Sequence, residues 1–357
     1  MISQETRPRL LLTCGPGTQR SAPHGDILVV DWNDKEIVDK FRFKHNVYEE
    51  SHKGLAGATW NGEKLLVATE CELLEFSAQP LQLMSSRSFP YLNDVHHVAG
   101  RNGKIWVANT GLDCVEIYDS KWKHLETRDL LGSIGRRLRY SCTSLYFTIK
   151  RGYETLRGWR PAYSHMPNRP VFRNTRKLLV SNAYRRNERD LRFCLFRPHI
   201  LHPNHVLVLD RDVWVTVNTT GEVVSLGTGK ILANGLGRAH DGIVAGNYHF
   251  TTDASINRLV VHEFNPDGPD LGRKVHDKLV TSSRAEGFLR GISVIGERVF
   301  VGLTVRRGPD GYCKTARIWE LDRETLERVD EWSIPDEFGL QVFSVLDASQ
   351  AYAATAN

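Results

Sequence analysis

His97, His205 and His240 each stand nine residues ahead of a bulky residue, Trp106, Trp214 and His249, inside a pattern that recurs along the chain. One repeat position occupied by imidazole three times is the donor set of a mononuclear transition-metal centre. Neutral imidazole suits zinc, iron or copper, whereas calcium and magnesium prefer oxygen. Three histidines and a water make a catalytic zinc layout. With zinc, bound hydroxide would hydrolyse a substrate or open a lactone, and Asp94, Asp241 or Asp253 would move protons. With iron or copper, the open positions would take substrate and dioxygen. The same histidines could instead line a wet channel, hydrogen-bonded to neighbours and water. His249 replaces a tryptophan inside an apolar run, so packing is its expected role.

The elements that carry these residues share one grammar: strand, tight turn, strand, polar loop, strand, then a looser fourth strand. It is clearest in Leu92–Asp119 and returns in Leu55–Phe76, His205–Leu226, His240–Phe264 and Gly291–Leu321. A four-stranded antiparallel unit cannot bury both faces alone, so such copies stack radially as propeller blades. The runs Arg9–Cys14, Asp26–Asp31 and Ile37–Phe43 form a blade without an inner strand, and Leu340–Leu346 can supply it. Pairing the two ends this way removes exposed sheet edges. The expectation is one all-β domain over residues 1–357, a six-bladed β-propeller closed by its N- and C-terminal strands. A degenerate seventh blade stays open as an alternative, and Ala351–Thr355 resembles a further second strand.

The pattern breaks over residues 133–199, which hold fourteen Arg and two Lys against Glu154, Glu188 and Asp190. That is a net of +13 within a chain of +5, leaving −8 on the remainder. The stretch is read as a basic insertion over one face. Its Arg185, Arg186 and Arg197 could hold phosphate, sulfate or carboxylate groups, or could clamp the insertion onto the acidic scaffold.

In a propeller of this strand order, loops entering the inner strand and loops leaving the second strand open on one face. Those loops bring Arg238, Arg290, Asn109 and Asn218 to the channel mouth as substrate-binding candidates. No apolar run approaches the length needed to span a bilayer, and no signal peptide is evident. Six cysteines lack CxxC spacing and read as reduced thiols, which points to the cytoplasm. No nucleic-acid module, Walker A, GxSxG, Rossmann or HExxH motif is present.

Across residues 55–335 the chain resembles six-bladed propellers of the senescence-marker, gluconolactonase and strictosidine-synthase-like type. That resemblance implies a metal or catalytic site on the axis, although those families generally use Glu, Asn and Asp where this column holds His. Asn93-Asp94-Val95-His96, Ala108-Asn109-Thr110 with Cys114, and His202 with Asn204 resemble an uncharacterised bacterial propeller family more closely. The leading expectation is a metal-dependent hydrolase, lactonase or oxygenase acting on an anionic small molecule or sugar derivative. Its rival is a non-catalytic propeller that docks an acidic partner through the Arg-rich insertion.

Overall fold

Asn102 and Gly103 join two apolar runs with φ of 51° and 72°, the left-handed geometry that lets a two-residue turn match the twist of its strands. Tight turns with a left-handed glycine, Gly62, Gly246 and Gly296, likewise join the first two strands in three other blades. The structure is a computed structural model that describes residues 8–15, 24–45, 53–130, 192, 201–265, 272–282, 287–304, 315–339 and 341–352.

Blade one contains β1 (Arg9–Gly15), β2 (His24–Asp31) and β3 (Glu36–Lys44). Blade two is β4 (Ala58–Asn61), β5 (Lys64–Ala68), β6 (Leu73–Ser77) and β7 (Gln82–Arg87). Blade three is β8 (Val95–Arg101), β9 (Lys104–Asn109), β10 (Cys114–Asp119) and β11 (His124–Asp129). Blade four is β12 (Pro203–Val208), β13 (Val213–Val217), β14 (Glu222–Ser225) and β15 (Ile231–Ala233). Blade five is β16 (Ala239–Ala245), β17 (Tyr248–Asp253), β18 (Arg258–Glu263) and β19 (Lys274–Leu279). Blade six is β20 (Phe288–Ile295), β21 (Arg298–Thr304), β22 (Arg317–Asp322) and β23 (Arg328–Ser333).

The last strand, β24 (Gln341–Asp347), returns to blade one as its innermost strand, pairing Leu346 with Leu11 and Val345 with Leu12. The six inner strands contact one another in sequence around the axis, and β24 meets both β4 and β20, so the ring is closed. Six blades and closure by the chain ends are therefore as the repeat pattern implies. Ala351 and Tyr352 form a turn, not a strand.

Blades adhere through apolar side chains between facing sheets. Between blades one and six, Leu12, Leu28 and Trp32 pack on Phe300 and Ile318, with the Trp32 and Phe300 rings edge-on at 5.1 Å. Outer strands such as β3 and β23 carry exposed charged residues, which protects their free edges from pairing with other chains.

The chain leaves blade three at Leu130 and enters blade four at Leu201, and Asp113 holds both ends. Leu130 N donates to the Asp113 carbonyl at 3.3 Å, while Leu201 and His202 N donate to its carboxylate at 2.9 and 2.8 Å. Within the basic insertion Arg192 is described, donating to Ser88 Oγ at 3.1 Å. Arg185, Arg186 and Arg197 lie outside the described residues.

One irregularity positions the site. The inner strands β8, β12, β16 and β20 each carry a register shift against their second strand, between Val95 and His97, Pro203 and His205, Ala239 and Gly242, and Arg290 and Ile292. A bulge of this kind inserts one extra residue and re-aims the side chains around it.

Candidate functional site

The bulges separate the three histidines. His97 pairs with Ala108, two residues beyond Trp106, and His205 with Thr216, two beyond Trp214. The residue two beyond His249 is Thr251, and it pairs with Gly242, not with His240. His240 falls inside the blade-five bulge beside Asp241. Counting nine residues back therefore placed His240 in a column it does not share.

Ring geometry gives the same division. His97 and His205 lie against each other with centroids 3.9 Å apart, and both line a cavity of about 430 Å³ at the hairpin end of the channel with Trp60 and Arg101. His240 lines a different cavity, of about 690 Å³, at the opposite mouth. Both ring nitrogens of His97 are engaged by backbone: Nε2 donates to Ala58 O at 3.2 Å and Nδ1 accepts from Val206 N at 3.4 Å. These bonds join blade three to blades two and four. Gly57 makes room for the ring, because a Cβ there would land on His97. Among the described residues no three His, Cys, Asp or Glu side chains are placed to hold a metal ion. A three-imidazole centre on His97, His205 and His240 does not fit this arrangement.

The upper cavity is built from blades four to six. Its described wall contains His202, Asn218, Arg238, His240, Ser255, Asn257, Phe288 and Arg290, with no Asp or Glu among them. His240 Nδ1 lies 2.8 Å from Asp241 Oδ2, so the proton sits on Nδ1 and is donated to the carboxylate. That tautomer leaves the Nε2 lone pair, which has no hydrogen-bond partner. Asp241 Oδ2 also accepts from Gly291 N at 2.7 Å, and Asp241 N donates to Thr252 Oγ1 at 3.0 Å, which fixes the carboxylate between blades.

Burial pushes His240 below its ordinary range, Asp241 opposes that shift, and Arg290 adds to it, so the ring is neutral near pH 7. Burial also works against ionising Asp241, but His240, His205 and the Gly291 N–H outweigh it and hold the carboxyl below the usual carboxylate range. The Arg290 guanidinium stands 5.0 Å from the Phe288 ring centroid and 4.6 Å from that of Phe343, a packing that limits its rotation.

His96 lies behind the wall, its ring 4.7 Å from His202 and 6.2 Å from His240. Burial drives His96 well below its ordinary range, Lys53 adds to this, and Asp94 opposes it. Asp94, expected as a catalytic carboxylate, is buried in an ion pair with Lys53 and faces His96 at 3.6 Å.

Asp253, the third carboxylate, is wholly enclosed and organises a loop. It accepts from Gly237 N at 2.8 Å, Arg238 N at 3.0 Å, Ser255 N at 3.0 Å and Arg258 Nη2 at 2.9 Å. A carboxylate with those partners aims the Arg238 loop and is not placed to act on substrate. Asn109 is also fully buried, donating to Tyr91 O at 2.9 Å and Glu116 at 3.1 Å while accepting from Asn93 N at 2.9 Å. Its amide has a structural role and does not reach the mouth. Arg238, Arg290, Asn218 and His240 do stand on one wall, with Asp241 directly behind.

Ser255 and Phe288 on that wall were not among the expected site residues: Ser255 sits in the polar loop of its copy, and Phe288 opens β20 three residues ahead of Gly291. His249 is fully enclosed, with Nδ1 2.9 Å from Thr251 Oγ1, which is a packing position.

No protein-family model matches the chain, and no curated protein does. Solved structures do. The chain is similar to one in a nidogen/laminin complex, at 12% identity, covering 95% of this chain and 97% of that one, with a TM-score of 0.54. It is also similar to a 6-phosphogluconolactonase-like protein of Bacteroides fragilis, at 10% identity, 94% and 84% coverage and a TM-score of 0.49. A luciferin-regenerating enzyme aligns at 10% identity over 81% and 78% of the two chains, with a TM-score of 0.48. These likenesses concern the fold. The described helices include none long and apolar enough to cross a membrane.

Proposed function

We propose that this propeller hydrolyses an ester or lactone of an anionic small molecule or sugar derivative in its upper cavity. The observation that carries the reading is the Asp241–His240 pair: a carboxylate 2.8 Å from Nδ1 and a buried Nε2 without a hydrogen-bond partner, on a residue that lines a cavity also holding two arginines. A neutral imidazole oriented by a carboxylate is the form that removes a proton from attacking water. Arg238 and Arg290, with no described acidic side chain on the wall, favour a ligand that carries carboxylate or phosphate.

In the step, water loses a proton to His240 Nε2 as its oxygen bonds to the acyl carbon. The tetrahedral intermediate then expels the alkoxide, which takes the proton back from His240. The products are an acid and an alcohol, or one hydroxy acid from a lactone. Asp241 holds the imidazolium that forms between the two transfers.

The test is a pH-stat assay with a panel of carboxylated and phosphorylated esters and lactones. The wild type is expected to turn over at least one of them, and His240→Gln to lower kcat by about a thousandfold or more while keeping the native circular dichroism. Turnover that survives in His240→Gln overturns the proposal. Ligand binding without turnover by the wild type overturns it in favour of a binding propeller.

A further inference from the structure

His202 stands on the same wall as His240, and its backbone is strained. Its φ is 56°, the left-handed region, and the next residue is Pro203, which disfavours helical conformations in the residue before it. A β-carbon-bearing residue takes up that conformation only against a steric penalty.

The surroundings hold it in place. Asp113 Oδ1 accepts from His202 N at 2.8 Å and from Leu201 N at 2.9 Å, and Asn218 N donates to His202 O at 3.1 Å. The ring meets His96 edge-to-face at 4.7 Å and 83°. A strained backbone fastened on three sides, with its ring braced and set on a cavity wall, is the arrangement of a preorganised group. Strain of that kind concentrates where a side chain must point one way.

We infer that His202 is a further catalytic residue, the neutral N–H donor that stabilises the oxyanion while His240 handles the proton. This rests on the hydrolytic reading above. Among the described residues, His96 meets the His202 ring, His240, Arg238 and Arg290 share its wall, and the Asp113 carboxylate is bound to its backbone N–H. In its uncharged form the His202 imidazole donates a hydrogen bond without releasing its proton. As water adds to the carbonyl carbon, the C=O π pair moves onto oxygen, and the His202 N–H bonds to it. When the C–O bond to the leaving group breaks, the pair returns, and His202 ends as it began. A donor already aimed needs no reorganisation during the reaction, which is why such groups act more on kcat than on KM.

The probes are mono(4-nitrophenyl) succinate and monoethyl succinate, both carboxylated esters, with succinate as a binding probe. His202→Phe keeps a flat ring without a donor and is expected to lower kcat for both esters by about 10²–10³. KM and succinate affinity are expected to stay within about threefold, and the rising limb of the pH profile, which belongs to His240, not to move. His202→Asn supplies an amide N–H at a position where Asn tolerates positive φ, and is expected to return kcat to within about tenfold of wild type.

A change in KM alone, an equal loss in Phe and Asn variants, or no loss in either overturns the assignment. The hydrolytic reading fails separately, if the wild type cleaves neither ester or if His240→Gln still cleaves them.

Discussion

Replacing His97 by Phe separates a structural staple from a metal ligand. Phe fills the same space against His205 but cannot take up the bonds to Ala58 O at 3.2 Å and from Val206 N at 3.4 Å. Each buried group deprived of its partner costs about 1–3 kcal/mol, so with two such groups the variant is expected to be about 2–6 kcal/mol less stable at pH 7.5.

The size of that gap depends on pH. Burial lowers His97 from 6.5 to about 4, partly offset by Asp241 and by the bond to Ala58, so the folded ring stays neutral while the unfolded chain binds a proton. The stability that the neutral imidazole contributes is complete above pH 6.5 and is lost as pH falls through about 4. Integrated over that interval, the loss is about 3 kcal/mol. The variant lacks this titration, whereas His96, His205 and His240 are present in both proteins and cancel to first order.

Urea unfolding followed by tryptophan fluorescence at pH 7.5, 6.0, 5.0 and 4.2 should therefore show the gap narrowing toward acid. A gap that is constant or widens with acid, or a variant as stable as wild type, would refute the staple. So would stoichiometric zinc or iron on the wild type that His97→Phe abolishes.

Three other outcomes follow from the packing. Asp253→Asn leaves the Arg238 loop without its charged acceptor, so a rise in KM for an anionic ester of about tenfold is expected with kcat nearly intact. Arg290→Met keeps the aliphatic contact with Phe288 and Phe343 and removes the charge; affinity for succinate should fall about 10- to 100-fold and lose much of its salt dependence, as titration at two ionic strengths would show. Trp32→Ala opens a cavity between blades one and six and removes the indole bond to Glu320, so a loss of about 3–5 kcal/mol is expected by urea unfolding, with ligand affinity unchanged.

The propeller was legible in the sequence because its determinants are local and periodic. Asn102-Gly103 and the Gly246 turn mark hairpins by backbone chemistry alone, and Val107, Val215 and Phe250 recur at buried second-strand positions. Closure was legible too, since blade one lacked a strand and Leu340–Leu346 had no other partner.

The site was legible only in part. Arg238, Arg290 and Asn218 were placed at the mouth from loop positions, and they stand on one wall, which His240 shares. Tertiary structure decided the rest. A bulge adds a residue to one strand without changing its composition, so equal spacing to Trp106, Trp214 and His249 could not show that His240 had left the column of His97 and His205. The roles of Asp253 and Asn109 were set by partners: Arg258 across a loop for one, Glu116 on a neighbouring strand for the other. A carboxylate or an imidazole has the same letter whether its hydrogen-bonding capacity is spent on the scaffold or left open to a ligand, and only the packed fold assigns which.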